Sequence, residues 1–119
     1  MRFQKTHRLL NKAEYKTTLD QPHKISRKEF LLLFKANQKS HARLGLMVGK
    51  KVSALAVTRN LIKRVIRESF RVNQDQLQGW DVVVITRHPC GKLSKDQLRE
   101  GMNHLWERLI KQYQKPLLP

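Results

Sequence analysis

Apolar and polar positions along the chain change period several times, and each change marks a different element. Asn11, followed three residues later by Glu14, has the form of a helix-capping pair and predicts a short helix running to about Leu19. Asp20, Gln21 and Pro22 break it. Phe30 to Phe34 is an unbroken apolar run; beyond the polar stretch Asn37 to His41, the segment Arg43 to Val48 alternates Leu44, Leu46 and Val48 with Gly45 and Met47. These two segments read as antiparallel strands joined by a hairpin. A helical period returns from Thr58 to about Asn73. Trp80 to Thr86, with Val82, Val83, Val84 and Ile85 in succession, then has the composition of a central strand covered on both faces. Ser94 and Gln97 form a capping box that opens a last helix, whose Leu98, Met102, Leu105, Leu109 and Ile110 share one stripe before Pro116 ends it. The expected order is helix-strand-strand-helix-strand-helix. That is an α+β chain, a two-layer α-β sandwich forming one domain over residues 1–119.

The middle helix carries the most information. At ~100° per residue, Leu61, Ile62, Val65, Ile66 and Ser69 fill one arc, and Asn60, Lys63, Arg64, Arg67 and Arg71 fill the opposite one. One face is built to pack on a sheet and the other to stay wet. Arg59 with Lys63 and Lys63 with Arg67 are like charges four residues apart, each pair costing the helix a few tenths of a kcal/mol, and only Glu68 offers a local counter-charge. A solvated face is the common explanation of such a pattern, but a face that costs stability points to an anionic ligand. Arginine's planar fork suits bidentate phosphate contacts, and Asn60 can hydrogen-bond a phosphate, a sugar hydroxyl or a base edge.

Composition strengthens this reading. The 119 residues hold 25 Lys and Arg against 9 Asp and Glu, a net charge of +16, whose self-repulsion calls for a polyanionic partner. No stretch approaches the ~20 apolar residues of a spanning helix, and MRFQKTHRLL lacks the apolar core of a secretory signal. No membrane partner and a cytoplasmic location are expected. The single cysteine, Cys90, has no partner for an internal disulfide, in keeping with a reducing compartment.

The stretch R43-L-G-L-M-V-G-K-K51, a short connector, and A56-V-T-R-N-L-I-K-R-V-I-R-E-S-F-R71 resemble the signature of the bacterial ribonuclease P protein family, with Arg59, Asn60, Lys63, Arg64 and Arg67 in matching order and spacing. The resemblance extends to R8-L-L and to W80-D-V-V-V-I-T-R87. It implies a subunit that binds a large catalytic RNA, in a holoenzyme that removes the 5′ leader of precursor tRNA by metal-assisted hydrolysis. The RNA would carry the catalysis and the Mg2+, the protein would bind no cofactor or metal of its own, and no obligate protein partner is implied. The resemblance also implies a left-handed strand-helix-strand crossover, against the usual right-handed rule.

Candidate RNA-binding residues are therefore Arg43, Lys50, Lys51, Arg59, Asn60, Lys63, Arg64, Arg67 and Arg71. The family also holds the single-stranded leader in a cleft between the first helix and the sheet, which here implies Phe3, Arg8, Lys12, Tyr15, Leu19 and Phe34. Tyr15 stands at an aromatic position of that cleft, and Leu19 replaces a second aromatic one turn later. Phe30 and Phe34 share strand parity with Leu32, so a core reading stays open for both, whereas Trp80 and Trp106 read as packing residues. His88 and Cys90 across Pro89 are too few for the usual four zinc ligands. Two other classes compare poorly. A ribosomal or chaperone protein would share the charge but has no reason for this motif helix beside Lys50 and Lys51, and a self-sufficient nuclease would need a carboxylate cluster or a histidine acid-base pair that the sparse acidic residues do not supply.

Overall fold

Three consecutive valines without exposed surface, Val82, Val83 and Val84, set the architecture of the computed structural model, which describes residues 12–113. Side chains alternate across a strand, so a strand buried at successive positions needs cover on both faces. The chain runs α1 (Lys12–Leu19), β1 (His23–Ser26), β2 (Phe30–Ala36), β3 (Arg43–Met47), α2 (Ala56–Asn73), a 3₁₀ turn at Gln74–Leu77, β4 (Trp80–Thr86), a second at His88–Lys92, and α3 (Lys95–Gln112). The sheet order is β1-β2-β4-β3, with β4 antiparallel to β2 and parallel to β3. α2 makes the crossover that parallel neighbours require.

One face of the sheet builds the main core. Phe30, Leu32, Phe34, Leu44, Val82 and Val84 meet Ile62, Val65, Ile66 and Phe70 of α2 and Leu98, Met102, Leu105, Trp106 and Leu109 of α3. Each such large side chain contributes roughly 1.5–3 kcal/mol by leaving water. Ser69, the polar member of the buried arc of α2, is satisfied there: Trp106 Nε1 donates to its Oγ at 2.7 Å, tying α2 to α3. The capping box of α3 forms as its residues suggest, Gln97 N donating to Ser94 Oγ at 3.1 Å and Ser94 N to Gln97 Oε1 at 2.8 Å. The opposite face holds a smaller cluster of Leu33 and Val83 with Leu31, Ile85 and Tyr15, and α1 lies over it.

Two expectations need correction. β2 and β3 do not form a hairpin, because β4 lies between them. Their linker reads as a turn, but β4 is apolar on both sides and gains more by taking the central place than the pair would gain from each other. A fourth strand, β1, is also present. Of its four residues only Ile25 is buried, too short and polar a pattern to stand out as a strand.

Cys90 is wholly buried in the turn after β4, where burial first and the negative charge of Glu29 second push its thiol up to about 12. The folded value is the higher one, so the stabilisation is intact below the unfolded thiol's ~8.5 and is lost as pH rises toward the folded value. Native protein at pH 8 is expected to leave Cys90 unreacted with iodoacetamide, with alkylation following denaturant unfolding; rapid labelling of the native protein would show that the turn is open.

Candidate nucleic-acid interface

The amphipathic pattern of α2 sets out a row of cations that enters no ion pair among the described residues. Asn60, Arg64 and Arg67 are exposed, and Lys63 and Arg71 are half-buried by their aliphatic stems. Among the described residues the ion pairs lie elsewhere: Arg27 with Glu29, Arg43 with Glu14 and Asp81, Arg99 with Asp96, and His104 with Glu100. Arg59 turns back, its Nη1 donating to the Ser53 carbonyl at 2.8 Å and holding the connector that carries Lys50 and Lys51. Gly91 makes a second contact with that connector, since a Cβ there would lie 2.0 Å from the Val52 carbonyl oxygen. Lys50, Lys51, Lys63 and His88 rim a cleft of about 840 Å³, with Met47, Val48 and Ile85 among its walls. An apolar floor ringed by cations suits a base or ribose held beside its phosphate.

α1 brings a second element to this surface. Tyr15 packs against the Leu33–Val83 cluster, as do Leu31 and Ile85, and its hydroxyl accepts the Leu46 N–H at 3.1 Å, giving the open edge of β3 a partner. The ring crosses Gly45 so closely that a Cβ there would sit 2.7 Å from Cε1. Met47, two residues along β3 and on the same face, continues the surface into the cation-rimmed cleft.

Arg43 anchors the helix. Its Nε and Nη2 donate to Asp81 Oδ1 and Oδ2 at 2.8 and 2.6 Å, its Nη1 pairs with Glu14 of α1, and Asn37 Nδ2 adds a bond to Asp81 Oδ1 at 2.8 Å. Hydrogen bonding to Asp81, then the charges of Asp81 and Glu14, raise the Arg43 pKa still further against the opposing effect of burial. At the other end of α1, Lys35 Nζ donates to the carbonyls of Thr17 and Asp20 at 3.3 and 2.7 Å.

The family model described as Ribonuclease P matches residues 3–110. The chain belongs to the ribonuclease P protein family. It is 48% identical over 110 residues to the ribonuclease P protein component of Ectopseudomonas mendocina, covering 92% of this chain and 82% of that one. With the corresponding protein of Azotobacter vinelandii it shares 44% over 110 residues, covering 92% and 85%. Among solved structures, the Staphylococcus aureus RNase P protein superposes with a TM-score of 0.79 at 30% identity, covering 85% of this chain and 93% of that one. The Thermotoga maritima protein gives 0.75 at 29%, covering 85% and 96%.

Placed on this family fold, the candidate residues separate into groups. Asn60, Lys63, Arg64, Arg67 and Arg71 share the outward side of α2, and Lys50 and Lys51 stand at its approach. Arg43 does not join them, because its guanidinium is filled by two carboxylates and its side chain is only 16% exposed. Phe34 leaves the candidate cleft. It is wholly buried on the main-core face, its ring 5.3 Å from Trp80 and 4.8 Å from Tyr113, so strand parity places it opposite Tyr15. Phe30 is core for the same reason. Lys12 and Leu19 are exposed on α1, whereas Phe3 and Arg8 lie outside the described residues. Met47, Ile85 and His88 escape a reading by sequence. The alternation that turns Met47 outward from Leu44 and Leu46 was the available signal.

Gly45→Ala tests how firmly Tyr15 is seated. Removing a strand glycine should stabilise by about 0.5–1 kcal/mol, but forcing the ring away should cost about 1–3 kcal/mol. A net loss of about 1 kcal/mol in urea unfolding is expected; a net gain would mean that the ring is free to move aside.

Proposed function

We propose that this chain is the protein subunit of a ribonuclease P holoenzyme, binding the catalytic RNA and the 5′ leader of precursor tRNA and assisting removal of that leader in the cytoplasm. The observation that carries the reading is the cation row of α2, which enters no ion pair among the described residues and runs through the Lys50–Lys51 approach toward the Tyr15 groove. Phosphates of the folded RNA pair with Arg64, Arg67 and their neighbours and release condensed counterions. The leader, the only single strand that distinguishes precursor from mature tRNA, lies along the groove. There the partly exposed Tyr15 offers a stacking surface that accepts any base. Among the described residues no helix is long and apolar enough to cross a membrane.

Hydrolysis of the phosphodiester belongs to the RNA in this proposal. Mg2+ would be held by the RNA, where it would supply an activated water, and not by side chains of this protein. Among the described residues no group of three or more His, Cys, Asp or Glu gathers as a metal site, and the chain's cations instead reduce RNA–RNA repulsion that would otherwise require more Mg2+.

Reconstitution tests the reading. Protein stripped of RNA should not cleave precursor tRNA at a defined site, and adding it to a bacterial ribonuclease P RNA should restore leader removal at low Mg2+. Arg64→Ala with Arg67→Ala should weaken binding to that RNA by about 2–4 kcal/mol with circular dichroism unchanged, and for the unaltered protein log K should fall against log salt with a slope of magnitude about 3 to 5. Accurate cleavage by RNA-free protein would overturn the subunit role, and unchanged affinity would remove α2 from the interface.

Tyr15→Ala separates the two binding tasks. Holoenzyme affinity for precursor tRNA should fall by about 1–3 kcal/mol while affinity for mature tRNA stays nearly constant. Equal losses for both would place Tyr15 away from the leader.

A further inference from the structure

We infer that Arg43 is a positioning residue for leader recognition: by bridging Glu14 of α1 to Asp81 of β4, it sets where the Tyr15 ring stands over the sheet. The inference rests on the proposed leader contact of Tyr15.

Arg43 and Asp81 are register partners on β3 and β4, and both point to the face on which α1 lies. Each of its three nitrogens is engaged, Nε and Nη2 on Asp81 and Nη1 on Glu14. Glu14 immediately precedes Tyr15, so the ion pair acts one residue from the ring whose hydroxyl is aimed at Leu46 N. α1 has eight residues and only Thr18 fully buried, too short to hold itself in water. Its orientation must therefore come from what it touches. Lys35 holds the C-terminal end of α1 and the Tyr15 hydroxyl bond and Gly45 contact hold the ring, while the Glu14 link ties down the end of the helix that carries the ring.

An alternative use of the same guanidinium is a direct contact with RNA. The two readings differ in the sign of one effect. Glu14→Ala removes a negative charge and frees one edge of the Arg43 fork, so a direct contact predicts tighter precursor binding, whereas positioning predicts weaker binding. Arg43→Ala is a poor probe, since it strands the buried Asp81 carboxylate and threatens the fold. Arg43→Lys keeps the cation beside Asp81 but cannot bridge two carboxylates with one fork.

The experiment measures affinity for precursor and mature tRNA in holoenzyme reconstituted with a bacterial ribonuclease P RNA, using Glu14→Ala, Arg43→Lys, Tyr15→Ala and the combinations of each clamp variant with Tyr15→Ala. Both clamp variants should lower the precursor-over-mature ratio by about threefold to tenfold, a part of what one stacked base provides, with RNA-subunit affinity unchanged. In the Tyr15→Ala background neither should lower it further. A ratio unmoved by Tyr15→Ala would refute the leader contact itself. A ratio that falls with Tyr15→Ala but not with the clamp variants, that rises with Glu14→Ala, or that falls equally in both backgrounds would refute the positioning role.

Discussion

The valines of β4 need cover on both faces of the sheet, and most of the molecule follows from satisfying them. A strand of that kind gains most at a central position, which separates β2 from β3 and makes β3 a parallel neighbour reached through α2. One side is covered by α2 and α3, whose apolar stripes are long and continuous. The other side has only α1 and a small cluster around Leu33 and Val83. The candidate interface lies where that cover is thin, so that Tyr15, Met47 and Ile85 stand near the surface instead of within the core.

Cations in this chain divide according to whether the fold uses them. Arg43 and Lys35 hold the two ends of α1, Arg59 holds the connector ahead of α2, and Arg87 and Arg108 donate to the carbonyls of Arg27 and Ser26 at 3.1 Å each. Lys63, Arg64, Arg67 and Arg71 have no such task among the described ion pairs and face the side where a polyanion would meet them. Acidic residues are also segregated: Asp96, Glu100 and Glu107 share the outward side of α3 with Arg99 and His104.

In the proposed function, affinity for RNA and discrimination among RNAs come from different structural sources. Exposed cations on a stable helix supply the first, and they need little beyond the amphipathic period of α2. The second depends on the placement of a single aromatic ring on a short helix, fixed by a hydroxyl bond, a missing Cβ at Gly45 and an ion-pair bridge. A displacement of an ångström at Tyr15 would leave the charge pattern unchanged and still alter what can stack on it.

Periodicity and capping residues were enough to determine the extent of β4, the start of α3 and the wet and dry sides of α2, and the ordered motif in and around α2 pointed to the family, because these depend on neighbours close in sequence. Ser69 belongs with this group: its place on the dry arc was legible, although its partner Trp106 was not. Sheet order was not legible, since it depends on which strand gains most from being covered twice, a comparison among segments far apart in the chain. β1 was hidden because a four-residue edge strand needs only Ile25 to face inward. The fate of Arg43 and Phe34 was decided by tertiary structure alone. Arginine reads as an RNA contact until Asp81 and Glu14 are brought within reach of its fork, and a phenylalanine in an apolar strand reads as cleft or core until the face occupied by α1 is known. Both outcomes turn on strand pairing, which places side chains on faces that no local pattern can label.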